Sequence, residues 1–463
     1  MIFDFKNIAE KFNQIKSDGF SEEIVNYSTI KNKLENLTRD FPFAYIEKIS
    51  ASENGIPIYL IKIGNGKIKV LSWSQMHGNE PTATKSFFDF IEFLKNPLFE
   101  EEKNFLLNNL TIYIIPLLNP DGSEKWTREN FFGIDINRDA KKLVSAEANF
   151  LQSCFEDILP DYCLNLHDQD GWYSVGNSAK PTLISFLSPP FDAENQIKST
   201  RKKAISVISK SVEILEQFYP NRIARYSDEF EPRAFGDNFT AKGSSVILIE
   251  AGRWDKHRNF EVVRKAYFLS LLSILNNIIK QNKTTFNISK YRHLPFNRLR
   301  FFDLILKNIE ISKQKLVDIV IKRVPFFKHN KIRYYGKIEF IGDASNYDAF
   351  EEYDLLGYRA EKGKKQVVTE KEIPHCSTKC LIYGKKGITN LKTKTKQSEE
   401  IGLNLERIDC DIPTDILVGN FANFSLINTN NEVEFLILNG NFINLNIFDF
   451  PIDKSINFTL TSL

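Results

Sequence analysis

The stretch KIKVLSWSQMHGNEPTA, residues 67–83, decides how this chain is read. Its first half runs apolar through Val70, Leu71 and Trp73, the pattern of a buried strand, and its second half turns polar before a helical stretch opens at Thr82. His77 and Glu80 therefore stand three apart between the carboxyl end of a strand and the start of a helix, where open α/β sheets carry their sites. A neutral imidazole beside a carboxylate suits Zn2+, and a catalytic zinc site needs a third protein ligand while keeping one position open. His167, which ends the apolar run YCLNLH (162–167), supplies that candidate. His257, in WDKHRNF, sits in a charged approach to a helix and reads as solvated.

Working outward, AYIEKIS and PIYLIKIG alternate around Asn54-Gly55 as a hairpin does, and residues 8–37 carry helical spacing broken at Asp18-Gly19. Downstream, helices are expected over 82–94, 146–158, 194–217 and 260–280, and strands at TIYIIPLL, YCLNLH, TLISFLS and SVILIE. Strands alternating with helices predict an α/β fold, a mixed and largely parallel sheet flanked by helices on both faces. Residues 282–295 are polar and aperiodic, and beyond them FFDLILKNIEI, LVDIVIKRV, RYYGKIEFIG, EVEFLILNG and FINLNIFDF read as strands. The expected organisation is a catalytic domain over residues 1–284, with its helical and hairpin entry segment, and a β-rich accessory domain over residues 285–463.

Bulk properties bound the function. A chain of 463 residues exceeds one ordinary core and favours two domains. The formal charge of +2 calls for no nucleic-acid or anionic-membrane partner, and no run of about 18 apolar residues stands out as a span. Five cysteines, an odd number, argue against a disulfide framework, and the opening residues lack a secretory pattern, so a cytoplasmic setting is expected. The lysine-rich stretch 362–396 reads as a solvated edge. His375, Cys376 and Cys380, with Cys410, form either a structural zinc site or ordinary buried thiols, and their spacing is not that of a standard knuckle.

Two further features bear on chemistry. Arg128 and Arg138 bracket a loop holding Gly133, and an arginine fork beside the Asn137 amide suits bidentate capture of a carboxylate; pairing with Glu124 and Glu129 on a surface loop is the alternative. Glu250 closes the apolar strand SVILIE, where a carboxylate is costly unless it meets a metal, a cation or water; Arg253 or the turn at Gly252 would also satisfy it.

The motifs HGNE (77–80), NPDG (119–122), GIDINRD (133–139), NLHD (165–168) and ILIEAG (247–252), in this order, resemble the zinc carboxypeptidase family of metallopeptidases over roughly residues 66–275. The wider stretches NLHDQDGWYSVGN and FEPRAFGDNF are most similar to a bacterial subgroup. The resemblance implies one Zn2+ per chain held by His77, Glu80 and His167, with Asp135 behind the first histidine. It implies Arg128 as the group that polarises the scissile carbonyl, Asn137 and Arg138 as the pair that binds a terminal carboxylate, and Glu250 as the general base. Tyr226, 24 residues before Glu250, falls near the register of the tyrosine that closes over substrate in digestive members, or packs on the surface. Arg233 and Asp237 fall where the family shapes its side-chain pocket, so a polar or charged terminal residue is expected. The implied activity is hydrolysis of a C-terminal residue or amide bond of a peptide with a free carboxylate. An aspartoacylase-like or desuccinylase-like deacylase of N-acyl amino acids is the alternative, and a non-catalytic binding module on the same fold is a third reading.

Overall fold

A computed structural model of the chain describes residues 2–20, 23–281, 286–328, 330–367, 382–393, 404–407 and 415–446. The cluster of His375, Cys376, Cys380 and Cys410 lies outside the described residues. The chain divides into two units, Met1–Leu299 and Arg300–Leu463. The break falls past the 284/285 expected from composition because Ser289–His293 forms a short helix whose Tyr291 is buried in the first unit's core, and Asn297–Leu299 pairs with a strand of that unit.

The first unit is built on β1 (Ala44–Ala51), β2 (Pro57–Ile63), β3 (Ile68–Trp73), β4 (Leu110–Ile115), β5 (Tyr162–Asp168), β6 (Tyr173–Val175), β7 (Ile184–Leu187), β8 (Ile223–Arg225), β9 (Ser245–Ala251) and β10 (Asn297–Leu299). Eight of these form one mixed sheet in the order β1-β2-β4-β3-β5-β9-β7-β8, while β6 and β10 pair separately. The centre is parallel, through β4–β3, β3–β5 and β5–β9, and the flanks bring antiparallel pairings at β1–β2, β2–β4 and β9–β7. Central parallel strands are covered on both faces, which is why β4 and β9 are apolar and buried at nearly every position rather than alternating.

Period-two geometry sorts each strand's side chains between two cores. Tyr162, Leu164 and Leu166 of β5 and Ile247, Ile249 and Ala251 of β9 join the core beneath helices Thr82–Lys95, Ser199–Leu215 and Phe260–Ile279. Cys163 and Val246 face the opposite core, with Trp73, Phe155 and Phe239. His167 and Glu250 share this second phase, and the register pairs them directly across β5 and β9, so both project from one face at the strands' carboxyl ends. The order also reverses at β3: the chain steps to β4 on one side and then to β5 on the other, which opens a crevice at the carboxyl ends of β3 and β5.

Phe260–Ile279 is, among the described residues, the one helix long and apolar enough to cross a membrane, and 83% of its most apolar window is buried inside the fold. From the sequence, no run that could span a bilayer is expected; this helix meets that test by length and composition, and its burial against the sheet explains its apolarity. The second unit is a β-sheet running Lys331–Gly342, Lys315–Lys328, Phe301–Ser312, Arg359–Lys362, Phe424–Ile427, Val433–Leu438 and Asn441–Asn444, with Asp348–Asp354 parallel to Phe301–Ser312. Leu304, Leu306, Ile319, Ile321, Phe424 and Leu426 pack in its core, the β-rich module expected from the alternating runs.

The N-terminal segment is stapled to the domain by a buried ion pair. Arg264 donates to Asp89 through Nε (2.8 Å) and Nη2 (2.5 Å) and to the Ser17 carbonyl (2.7 Å), while the Ser17 N–H donates back to Asp89 (2.8 Å). Asp89 is wholly buried, so its removal leaves Arg264 with the Ser17 carbonyl and a longer, 3.5 Å pairing to the part-exposed Glu261. We expect Asp89→Ala to lower the unfolding free energy by about 3–5 kcal/mol in urea denaturation; a loss under about 1 kcal/mol, the scale of an exposed pair, would refute the staple.

Candidate metal centre and active site

After β3 the chain turns sharply. Gln75 is buried with a positive φ of 48°, and its side chain compensates: Nε2 donates to the carbonyls of Val25 (2.7 Å) and Gly78 (2.9 Å), and Oε1 accepts from Thr84 Oγ1 (2.7 Å). This turn aims His77 into the crevice. A Cβ on Gly78 would stand 2.0 Å from the carbonyl carbon of Gly122, so the HGNE and NPDG loops touch backbone to backbone and only glycine fits. Asn119 joins the same two loops to a third. Its Oδ1 caps helix Pro120–Lys125 by accepting from Gly122 N–H (2.8 Å), and its Nδ2 donates to the carbonyls of Met76 (3.1 Å) and Arg128 (3.3 Å). The NPDG motif is therefore the brace that sets His77 and Arg128 in register.

The buried Glu80 carboxylate lies between two imidazoles, with Oε1 2.7 Å from His77 Nδ1 and Oε2 2.8 Å from His167 Nδ1. The ligand atoms of these three residues lie within 4.8 Å of one another, the one such group among the described residues. Arg128 Nη1 stands 3.2 Å from His77 Nδ1. A guanidinium only donates, so Nδ1 presents its lone pair and the ring proton is assigned to Nε2, which faces Asp135 Oδ1 at 3.3 Å. In this tautomer a nitrogen lone pair and a carboxylate oxygen stand 2.7 Å apart, and either a proton on Nδ1 or a metal ion bound by both atoms relieves their repulsion. Two neutral imidazoles and one carboxylate, with Asp135 orienting the first ring from behind, form a donor set that fits Zn2+. Nε2 of His167 is buried and has no hydrogen-bond partner.

The field of the crevice is strongly negative. Burial raises the Glu250 carboxyl well above the usual range, and the charges of Glu80 and Asp168 push it the same way against the pull of Arg128. Asp168 is pushed up to about 7, by burial first and Glu80 second, while accepting from the N–H (3.1 Å) and hydroxyl (2.8 Å) of Thr82. Burial also disfavours charge on Glu80 and Asp135, but the imidazoles at Glu80, and His77 with Arg128 at Asp135, overcome it and hold both low. Arg128 binds Asp135 through Nε and Nη2, each at 3.0 Å, and its Nη1 lies 3.7 Å from Glu80.

The other residues singled out in the sequence fall into two groups. Tyr226 reaches the crevice: the charge of Glu250, then burial, raises its phenol, and its ring stands 6.5 Å from that of Tyr173. Asn137 lies beside Asp135, whose Oδ1 accepts its N–H (2.9 Å), and spends its own side-chain oxygen on the N–H of Phe235 (3.1 Å). Arg138 Nε is 3.5 Å from Glu231. Arg233 points to solvent, bound to the same Glu231 through Nε (2.8 Å) and Nη2 (2.5 Å), so the two arginines share one counter-charge instead of facing the crevice alone. Asp168, Tyr173 and Glu231 were not singled out as site residues. Asp168 adjoins a ligand histidine and was open to notice, whereas nothing in sequence spacing marks the other two.

Residues 30–201 match the family model described as zinc carboxypeptidase. Carboxypeptidase E of Caenorhabditis elegans is 30% identical over 142 residues, covering 26% of this chain and 30% of that protein. Carboxypeptidase 2 of Trichophyton tonsurans is 28% identical over 131 residues, 28% of this chain and 22% of that protein. The chain thus spans less than a third of the length of these two curated relatives. Among solved structures, a metallo-carboxypeptidase from Burkholderia cenocepacia aligns at 15% identity with a TM-score of 0.44, over 54% of this chain and 68% of that one.

The brace on His77 has a measurable consequence. Asp135→Asn exchanges a carboxylate for an amide behind the ring, and we expect it to weaken Zn2+ binding by about 10–100-fold in chelator competition. Unchanged affinity would show that Asp135 does not orient the ligand.

Proposed function

We propose that this chain, whose first unit is of the zinc carboxypeptidase kind, is a zinc-dependent hydrolase that removes a C-terminal residue from a peptide-like substrate bearing a free carboxylate. The observation that carries this reading is the convergence of His77, Glu80 and His167, ligand atoms within 4.8 Å, with Glu250 on the neighbouring strand in register with His167. One Zn2+ held by those three residues would supply Lewis acidity, polarising an amide carbonyl and making water acidic enough to lose a proton near neutral pH.

The chain's own residues do the rest. Glu250 takes a proton from the attacking water and hands it to the departing amine nitrogen; its raised proton affinity suits a group that must both accept and return one. Arg128, fixed by Asp135, holds a permanent positive charge beside the cluster, where negative charge develops on the carbonyl oxygen during attack. Asn137 and Arg138 hold the substrate's terminal carboxylate, Arg138 exchanging Glu231 for it. Tyr226 covers the substrate beside Glu250, and Arg233 stands at the outer edge of the side-chain pocket. The stretches NLHDQDGWYSVGN and FEPRAFGDNF align this reading with the bacterial branch of the family.

Two measurements test it. Glu250→Gln should keep its zinc by metal analysis yet lose about 10²–10⁴-fold in turnover; retained turnover removes Glu250 as the base. Peptides with free C-termini should be shortened by one residue in a digest read by mass spectrometry, while their amidated counterparts stay intact. Hydrolysis of N-acyl amino acids with peptides untouched would replace the peptidase reading by the deacylase one.

A further inference from the structure

The last segment of the first unit is bonded to β8 and to β6. The Pro295 carbonyl accepts the N–H of Arg225 (2.8 Å), Phe296 forms a parallel bridge with Arg225, and the Phe296 carbonyl accepts the N–H of Gly176 (2.9 Å). Asn297, Arg298 and Leu299 then pair antiparallel with Val175, Ser174 and Tyr173. Gly176 has a φ of +58°, and a Cβ there would lie 2.9 Å from the Pro295 ring, so the two chains are in close contact. Asn297 Nδ2 donates to Gln169 Oε1 (2.8 Å), which also accepts from Ser185 Oγ (3.1 Å). Gln169 lies two residues beyond His167, and Ser185 pairs with Glu250 across β7 and β9. Five consecutive residues are thus bonded to β8 and β6, and reach the base through Gln169 and Ser185.

The two sides lead to the two tyrosines. β8 ends at Arg225, next to Tyr226, and β6 begins at Tyr173. The Arg225 guanidinium lies 3.7 Å over the Phe296 ring, while its Nε is buried with no hydrogen-bond partner, so the aromatic face orients it. Tyr226 itself is tied once through its backbone, by its N–H to the Phe186 carbonyl (2.9 Å). A tyrosine on a free loop would swing; here the residue before it is clamped.

We propose that Pro295–Leu299 is a positioning strap that, by clamping Arg225, holds Tyr226 beside Glu250 in readiness for substrate. This rests on the hydrolase reading above. The strap touches no reacting atom and acts through Tyr226.

Phe296 is 37% exposed, so truncating it opens no core. In the full chain, Phe296→Ala should raise KM for a peptide several-fold with a smaller effect on kcat, and Phe296→Tyr, which keeps a ring under the guanidinium, should restore it. On a Tyr226→Phe background the same Phe296→Ala change should add little, because both alterations disable one device; effects that multiply independently would overturn the strap. Amide hydrogen exchange supplies a readout free of turnover. Exchange at Arg225 and Tyr226 should quicken in Phe296→Ala, and unchanged protection there overturns the proposal whether or not any substrate is cut. A wild-type chain that cleaves no peptide sinks the peptidase reading instead, and the exchange result still judges the strap.

Discussion

The Glu80 carboxylate, held in the interior between the Nδ1 atoms of two histidines, is the constraint around which the first unit is arranged. Asp135, Asp168 and Glu250 add three carboxyl groups nearby, and Arg128 is the fixed cation among them. Removing so much like charge from water is unfavourable unless protons, hydrogen bonds or a metal offset it. The rest of the local architecture resists the repulsion: the strained Gln75 turn is tied by three hydrogen bonds, the glycine contact lets the two loops lie backbone to backbone, and Asn119 bonds to both flanks. An electrostatically tense site is thereby carried on a rigid apolar sheet, the division of labour that keeps functional groups poised.

Much of this was legible in the sequence, and the reasons are physical. Strands buried on both faces write themselves as unbroken apolar runs, so β3, β5 and β9 announced themselves, and polar residues at their carboxyl ends, His77, His167 and Glu250, stood out as exceptions. The hairpin round Asn54-Gly55 and the helix Ala146–Ile158 follow from turn chemistry and an N-cap serine, which are local signals. Most of what escaped notice is long-range. Short strands such as β6, β8 and β10 carry too few residues to show a period, and the pairing of β6 with β10 joins positions more than a hundred residues apart. The orientation of Arg233 depends on Glu231, a partner two residues away whose preference for a local ion pair over the crevice no spacing rule reveals.

The break between the units shows the same limit. Composition shifts at the polar stretch 282–295, yet the first unit reaches on to Leu299 because a backbone ladder and the buried Tyr291 retain that segment. Likewise, Phe260–Ile279 has the length and apolarity of a bilayer helix, and only its placement against the sheet, with Glu261 paired to Lys16 and Arg264 to Asp89, reveals a core element.

That last pairing also fixes a timetable. Ser17 and Arg264 are bonded across 247 positions, so the opening helices have no finished berth until the unit's last long helix has left the ribosome. At typical synthesis rates of 5–20 residues per second this amounts to roughly 12–50 s during which Phe12, whose ring packs on Phe268, awaits that partner. The order of synthesis thus leaves the apolar face of those helices uncovered until a distant segment of the same unit arrives to cover it.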